Sequence, residues 1–280
     1  MEALPSLIAL LVAAAIVPAA VRSLVRGGHV CDNWRGSSVA FPGGIAVVTS
    51  ALVALAAIAP LNTVAELDVL PDELRVIALY TLGVALLGLI DDLFGGSAAE
   101  GAPAPRGWRG HAAAARAGTL STGAIKAVGS LGLAFLALSG WREIDQHLVA
   151  VAVLVLSTNL FNLLDLRPGR SLKALVLLGA GLTLGAWDTD PAVALGLFLA
   201  PLAVFAFYDV RELAMLGDTG SNLVGALAGW WLVLTLSPGE MLIALAALSI
   251  VTVYGEFRSI SALVERNPLL RRLDSLARPR

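Results

Sequence analysis

The sequence predicts an all-α fold: a polytopic transmembrane helical bundle of about nine spans, N-terminus outside and C-terminus cytoplasmic. Three observations carry that prediction. Of 280 residues, 58% are hydrophobic and 14% charged, with a mean hydropathy of +0.82, whereas a soluble domain carries about a quarter charged residues. Apolar windows recur along the whole chain at lengths that suit a bilayer. The basic residues then fall almost wholly on one side of the resulting layout. The 28 glycines fit the same class, because glycine allows close helix contact in membranes.

The first span runs from Ala3 to Val21 and is followed by Arg22 and Arg26. Lacking a basic leader, it reads as a retained span that starts outside, not as a cleaved signal peptide. Further spans follow at 42–60, 74–90, 123–140, 148–164, 172–187, 192–208, 219–236 and 241–256. The sixth and ninth fall short of the roughly 20 residues that cross a bilayer comfortably. Turn signals flank both and keep them in the layout: Trp-Asp-Thr-Asp-Pro at 187–191 and Ser-Pro-Gly-Glu at 237–240. In this arrangement 17 of the 19 Lys and Arg residues face the cytoplasm, leaving Arg75 and Arg142 outside. A missed or invented span would scramble that separation, so the positive-inside rule supports count and orientation together.

Two inner segments exceed turns. Residues 93–121, rich in Gly, Ala, Pro and Arg, form a cytoplasmic loop without strong periodicity. Residues 257–280 form a basic tail, set apart from the membrane domain at 1–256. There Asn267 and Pro268 read as a helix cap and first turn, with Leu269, Leu270, Leu273 and Leu276 on one side and Arg271, Arg272 and Arg278 around them. That pattern suits a helix on the inner leaflet, where each basic residue adds about 1 kcal/mol toward anionic lipid. A frayed charged tail fits the composition equally. The single cysteine, Cys31, excludes an internal disulfide and reads as an inert thiol. The histidines, His29, His111 and His147, are scattered and form no ligand set.

Four polar strings fall on the cytoplasmic face. Residues 32–44 (Asp-Asn-Trp-Arg-Gly-Ser-Ser-Val-Ala-Phe-Pro-Gly-Gly) link spans one and two. Asp91 and Asp92 close span three, Ser157 to Arg170 closes span five, and Leu216 to Asn222 opens span eight. Ionisable groups at the rim of a membrane segment are functional-site candidates. On span five, Asn159, Asn162 and Asp165 share a sector of roughly 120°, where they must find partners or lose several kcal/mol each to desolvation. A single membrane Asn is more often interhelical glue; three in register beside Asp91-Asp92 favour a site. In Gly217-Asp218-Thr219-Gly220-Ser221, a starting helix offers free N–H groups and its positive end to phosphate. Asp218 suits a hard divalent cation there, since Mg²⁺ takes one or two carboxylates and completes its shell with water and phosphate oxygens. It also reads as an N-cap. Of the basic residues on this face, Arg35 among them, Lys126 is the one placed to reach an interfacial phosphate.

Together these strings resemble the polyprenyl-phosphate N-acetylhexosamine-1-phosphate transferases (glycosyltransferase family 4), which include the phospho-N-acetylmuramoyl-pentapeptide translocase. The resemblance rests on Asp91-Asp92, on Asn159-x-x-Asn162-x-x-Asp165 and on Gly217-Asp218-Thr219-Gly220-Ser221, with Phe41-Pro42-Gly43-Gly44 resembling a Pro-x-x-Gly-Gly string. It covers spans one to nine in order. It implies transfer of a sugar-1-phosphate from a nucleotide sugar, usually a UDP-sugar, to a polyprenyl (undecaprenyl) phosphate in envelope glycan synthesis, in the plasma membrane. It further implies that Asp218 binds Mg²⁺, or Mn²⁺ in its place, while Asp91 or Asp92 orients or deprotonates the lipid phosphate. Asn159, Asn162 and Asp165 would contact nucleotide or sugar. The chain departs from the pattern at 165–169, Asp-Leu-Arg-Pro-Gly, where the family commonly has Asp-Gly-x-Asp-Gly. It also lacks a C-terminal histidine cluster and a tenth span, and has Met215 where an aromatic often stacks on uracil.

The expected partners are therefore the polyprenyl phosphate, the nucleotide sugar and the lipid bilayer, without nucleic acid and with homodimerisation open. The departures keep a second expectation in play, a catalytically silent relative that binds a polyprenyl-phosphate carrier or an envelope-assembly partner. A transporter is disfavoured, because transporters place polar residues near mid-membrane on broken helices, and here they gather at one face.

Overall fold

The computed structural model describes residues 3–64, 69–95, 121–140 and 144–278. Most of the loop expected at 93–121, with Arg106, Arg109, His111 and Arg116, lies outside the described residues, as do Arg142 and Arg280. The described residues form twelve helices and one small hairpin. In order they are α1 (Leu4–Arg26), β1 (Val30–Asp32), β2 (Ser38–Ala40), α2 (Gly44–Val64), α3 (Asp72–Phe94), α4 (Thr122–Ala137) and α5 (Ile144–Leu164). There follow α6 (Arg170–Ala186), α7 (Asp190–Ala194), α8 (Gly196–Val210), α9 (Gly217–Thr235), α10 (Pro238–Phe257), α11 (Ile260–Arg266) and α12 (Pro268–Ser275). The fold is all-α, and each of the nine apolar windows is helical. Five helical segments, Leu4–Arg26, Gly44–Leu61, Asp72–Phe94, Gln146–Leu164 and Pro238–Phe257, are long and apolar enough to cross a membrane; α4 and α8 are shorter apolar helices.

Helix α9 is the axis of the bundle. Every residue from Thr219 to Val233 is buried, as an all-round apolar helix must be, and α2, α3, α5 and α6 pack around it. Asn222 Nδ2, buried on this helix, donates to the Val84 carbonyl at 3.3 Å. Trp230 meets Tyr80 edge-on at 6.1 Å, and the Tyr80 hydroxyl lies 2.9 Å from Thr158 Oγ1.

Two glycines let helices close on the first turn of α9. A Cβ at Gly44 would overlap the backbone of Gly220, and one at Gly88 the carbonyl of Asp218. Because those neighbours are backbone, one helix would have to move. Gly88→Ala should therefore cost about 1–3 kcal/mol, the usual penalty of overpacking, and lower the Tm of the detergent-purified protein. Gly132→Ala in α4, where a Cβ meets nothing within 4 Å, is the matched control; equal melting of the two variants would refute the contact.

Two local features differ from the sequence reading, and a third follows one of its alternatives. The string 32–44 opens as an antiparallel hairpin pairing Val30 with Ala40 and Asp32 with Ser38. Asn33 Oδ1 closes its turn by accepting from Arg35 N at 2.9 Å and Ser37 N at 3.0 Å, and Gly36 takes the left-handed conformation at φ 76°. The seventh window is divided by a turn at Leu195 into α7 and α8. The tail is helical, and α12 begins as its sequence suggests: Asn267 Oδ1 accepts from Leu269 N at 3.0 Å and Leu270 N at 3.1 Å, with Pro268 in the first turn.

The tail is also fastened to the α5–α6 turn. Arg170 grips Asp274 with Nε at 2.8 Å and Nη2 at 3.0 Å, a fork geometry that favours Arg over Lys. Arg278 adds a bond to Asp274 at 2.8 Å and one to the Pro168 carbonyl at 2.9 Å. Burial pushes the Asp274 carboxyl up, but Arg170 and Arg278 outweigh it and hold the group below the usual carboxylate range. A depressed pKa stabilises above the unfolded value, about 3.9, and is lost only as pH falls through the folded one. Docking should thus persist from neutral to mildly acid pH. Asp274→Asn should speed hydrogen exchange of α11 and α12 amides at pH 7 at least about tenfold, the equivalent of about 1.4 kcal/mol. Unchanged exchange would show that the tail is held by other contacts.

Candidate active site at the head of helix α9

The last turn of α3, the first of α4, the last of α5 and the first of α9 meet at one end of the bundle. They bring together Asp91, Asp92, Lys126, Asn162 and Asp218, residues up to 127 positions apart in sequence. Lys126 is the hub. Its ammonium donates to Asp91 Oδ2 at 2.9 Å and to Asp218 Oδ2 in a very short contact. Asn162 is best assigned with its carboxamide oxygen toward that ammonium, since the reverse would set its oxygen against the Asp218 carboxylate and its NH₂ against the Lys126 ammonium. It then accepts from Lys126 Nζ at 3.0 Å and donates to Asp218 Oδ1 at 3.0 Å and Ser221 Oγ at 2.9 Å. One cation is thus ringed by two carboxylates and an amide oxygen.

Asp92 faces the other way. Its Oδ1 accepts from Asp218 N at 2.7 Å, and its Oδ2 from Thr219 N at 2.8 Å and Thr219 Oγ1 at 2.6 Å. A carboxylate from α3 thereby caps α9 from outside, meeting two free N–H groups and the positive end of the helix. The amides of Asp218 and Thr219, expected to be free for a phosphate, are occupied. Gly217 makes this approach feasible: its φ is +71°, and a Cβ there would meet Asp92 Oδ2 at 2.8 Å and Pro42 Cβ at 2.9 Å. Gly220 packs against Gly44 Cα.

The remaining candidates lie around this centre. Asp165 borders a shallow cleft with Asn33, Trp34, Arg167 and Met215. Its carboxyl accepts no hydrogen bond among the described residues. Burial, then Asp209, Asp218 and Asp92, push its pKa well above the usual range, and Arg170 offsets them only in part. Asn159 is exposed, one turn deeper on α5, and its side chain joins no hydrogen bond among the described residues. Arg35 sits on the hairpin, 3.2 Å from Glu212 and 4.7 Å from the Trp34 ring centroid. It belongs to the rim of the cleft, not to the Lys126 cluster.

Sequence reasoning passed over Asp209 and Glu212, which help to shape the cleft. Arg167 lies 4.4 Å above the Trp34 ring. Asp209, 2% exposed, accepts from Gly169 N at 2.7 Å and so shapes the α5–α6 turn. Glu212, in the left-handed region at φ 58°, latches the hairpin through Asn33 Nδ2 at 3.1 Å. Backbone bonds complete the latch, with Gly43 N donating to Met215 O at 2.7 Å and Gly44 N to Leu216 O at 2.8 Å. The one usable signal was Glu212, an acidic residue beside the Gly-Asp-Thr-Gly string. Cys31 lies 3.8 Å from Met215 Sδ, and burial, then Asp32 and Asp92, push its thiol up, which keeps it inert. No protein-family model matches the chain, and comparison with curated proteins finds no match.

Proposed function

We propose that the chain transfers a sugar-1-phosphate, of the N-acetylhexosamine type, from a UDP-sugar to a polyprenyl phosphate at the cytoplasmic face of the plasma membrane. The observation that carries this reading is the convergence of Asp91, Lys126, Asn162 and Asp218 from four helices on one cation position. An oxygen of the polyprenyl phosphate forms the new bond to the sugar-bearing phosphorus as its bond to the nucleoside phosphate breaks, releasing nucleoside monophosphate. A phosphate monoester is largely dianionic at neutral pH, its second pKa being about 6, so the nucleophile needs no strong base. What the site must supply is positioning and charge neutralisation.

The donor set fits Mg²⁺, or Mn²⁺. Two carboxylates already share one cation, the Lys126 ammonium, and such an ion takes one or two carboxylates with water and phosphate oxygens. Asp218 and Asp91 would hold it, releasing Lys126 to pair with a phosphate oxygen. When bound, it neutralises charge that builds on the transferred phosphoryl group. Asn162 and Ser221 orient the Asp218 carboxylate. Asp92 is a positioning residue that fixes the α9 head. The cleft at Asn33, Trp34 and Asp165 is the place for the nucleotide, with Arg35 and Arg167 at its edge.

A second reading has its own support. Lys126 already neutralises Asp91 and Asp218, and α9 consumes Asp92, so the cluster is complete without metal; this suits a silent relative that binds the carrier lipid or an envelope-assembly partner. One assay separates the two. Purified protein receives undecaprenyl phosphate, Mg²⁺ and a panel of nucleotide sugars, and nucleoside monophosphate is measured. Release with any one donor supports the transferase; silence with all of them favours the carrier-binding relative.

A further inference from the structure

Away from the site, α6 and α8 lean on different partners, α6 chiefly on α9 and α8 chiefly on α1 and α2. An apolar groove of about 420 Å³ remains between them. Val176, Gly179 and Ala180 form one wall, Leu199 and Ala203 the other, and the Trp231 ring the floor. The floor is fixed, because a Cβ at Gly179 would strike that ring. The groove is open to the surroundings along Val176, which is 66% exposed.

Its length suits a fatty chain. The α6 wall, from Leu172 to Thr183, rises about 17 Å at 1.5 Å per residue, close to one leaflet of a hydrocarbon core about 30 Å thick. One extended acyl chain spans that length.

Charge distinguishes the two ends. Lys173 lies one turn before Val176 on α6, and Arg211 lies two turns beyond Ala203, just past the end of α8, its guanidinium 4.3 Å from the Phe207 ring centroid. In sequence both lie toward the helix ends nearer the active site. Lys173 donates to the Asp274 backbone carbonyl at 2.7 Å, while the Asp274 carboxylate is engaged by Arg170 and Arg278. Arg211 forms no ion pair among the described residues. The far end carries Asp188 and Asp190 instead. Basic residues at an interface draw anionic headgroups, each with about 1 kcal/mol.

We propose that this groove seats one anionic glycerophospholipid, its fatty chain against Trp231 and its phosphate between Lys173 and Arg211. The idea does not depend on the transfer reaction. Native mass spectrometry of delipidated full-length protein, titrated separately with phosphatidylglycerol, phosphatidylcholine and undecaprenyl phosphate, tests it. Expected is one tightly held phosphatidylglycerol, with phosphatidylcholine at least tenfold weaker. The double variant Lys173→Gln, Arg211→Gln should bind phosphatidylglycerol at least tenfold more weakly. Ala203→Phe, which fills the groove, should lose it while its circular dichroism stays that of the wild type. Equal affinity for the two phospholipids, retention by both variants, or a preference for undecaprenyl phosphate would overturn the assignment. So would a dimer that Ala203→Phe dissociates, since the groove would then seat a second copy.

Discussion

Asp218→Asn should release nucleoside monophosphate at no more than about one-hundredth of the wild-type rate, the loss typical when one preorganised electrostatic group is removed from a transition state. The substitution keeps the size of the side chain but removes its charge. Asn at this position can still accept from Lys126, so the cluster does not collapse. What disappears is one of the two negative charges that face a common cation. At contact distances of about 3 Å and an effective dielectric of about 20, such a charge is worth about 5 kcal/mol before solvation is counted, ample for a hundredfold effect. The fold should survive, because Asp92 is bound by the Asp218 backbone N–H and not by its side chain. Wild-type release from a variant that melts normally would remove Asp218 from the mechanism. Lys126→Gln gives an independent check: if Lys126 meets phosphate in the working complex, this variant too should fall about a hundredfold, with Asp91 and Asp218 left facing one another.

Much of this arrangement could be read from the sequence, and the parts that could not share a cause. The helices were legible because a bilayer-length apolar run is a local property of the chain, and the Asn267 cap because it needs only three consecutive residues. The candidates stand out for different reasons: Asp91 and Asn162 because each is costly in an apolar setting and calls for a partner, Asp218 because a carboxylate at a helix start suits a divalent cation, and Lys126 because it can reach an interfacial phosphate. Which partner each would find was not legible. Nothing local distinguishes Asp91, which turns to Lys126, from Asp92, which turns to α9; the 100° step between consecutive helical residues decides it. Asn159 shows the same limit in reverse. It shares a sector with Asn162 in projection, yet sits one turn away from the cluster and exposed. The hairpin was missed because its strands are three residues each, and its stability comes from distant partners, Glu212 and the Leu213–Leu216 backbone. Gly88 reads in the sequence only as a membrane-type glycine, and Gly44 as part of the Phe41-Pro42-Gly43-Gly44 string; their close approach to α9 is a tertiary property.

Adjacent and chemically identical, Asp91 and Asp92 should differ in what the same substitution costs the fold. Asp92→Asn should lower the stability of the folded protein by about 2–4 kcal/mol, since hydrogen bonds to a charged acceptor are worth about 1.5–3 kcal/mol each and the helix-dipole contribution adds about 0.3–1. An amide cannot replace this carboxylate. It has a single oxygen, whereas Asp218 N binds Oδ1 and both Thr219 donors bind Oδ2, so its NH₂ must face an N–H or a hydroxyl donor. Asp91→Asn faces no such conflict, because Lys126 can donate to an amide oxygen, and its effect on stability should stay within about 1 kcal/mol, as for a partly exposed ion pair. Both variants should lose transferase activity, Asp91→Asn through the cation position and Asp92→Asn because the α9 head that carries Asp218 is displaced. Thermal unfolding in detergent separates them where an activity assay cannot. If both melt together, the cap that Asp92 places on α9 contributes nothing to holding the site in place.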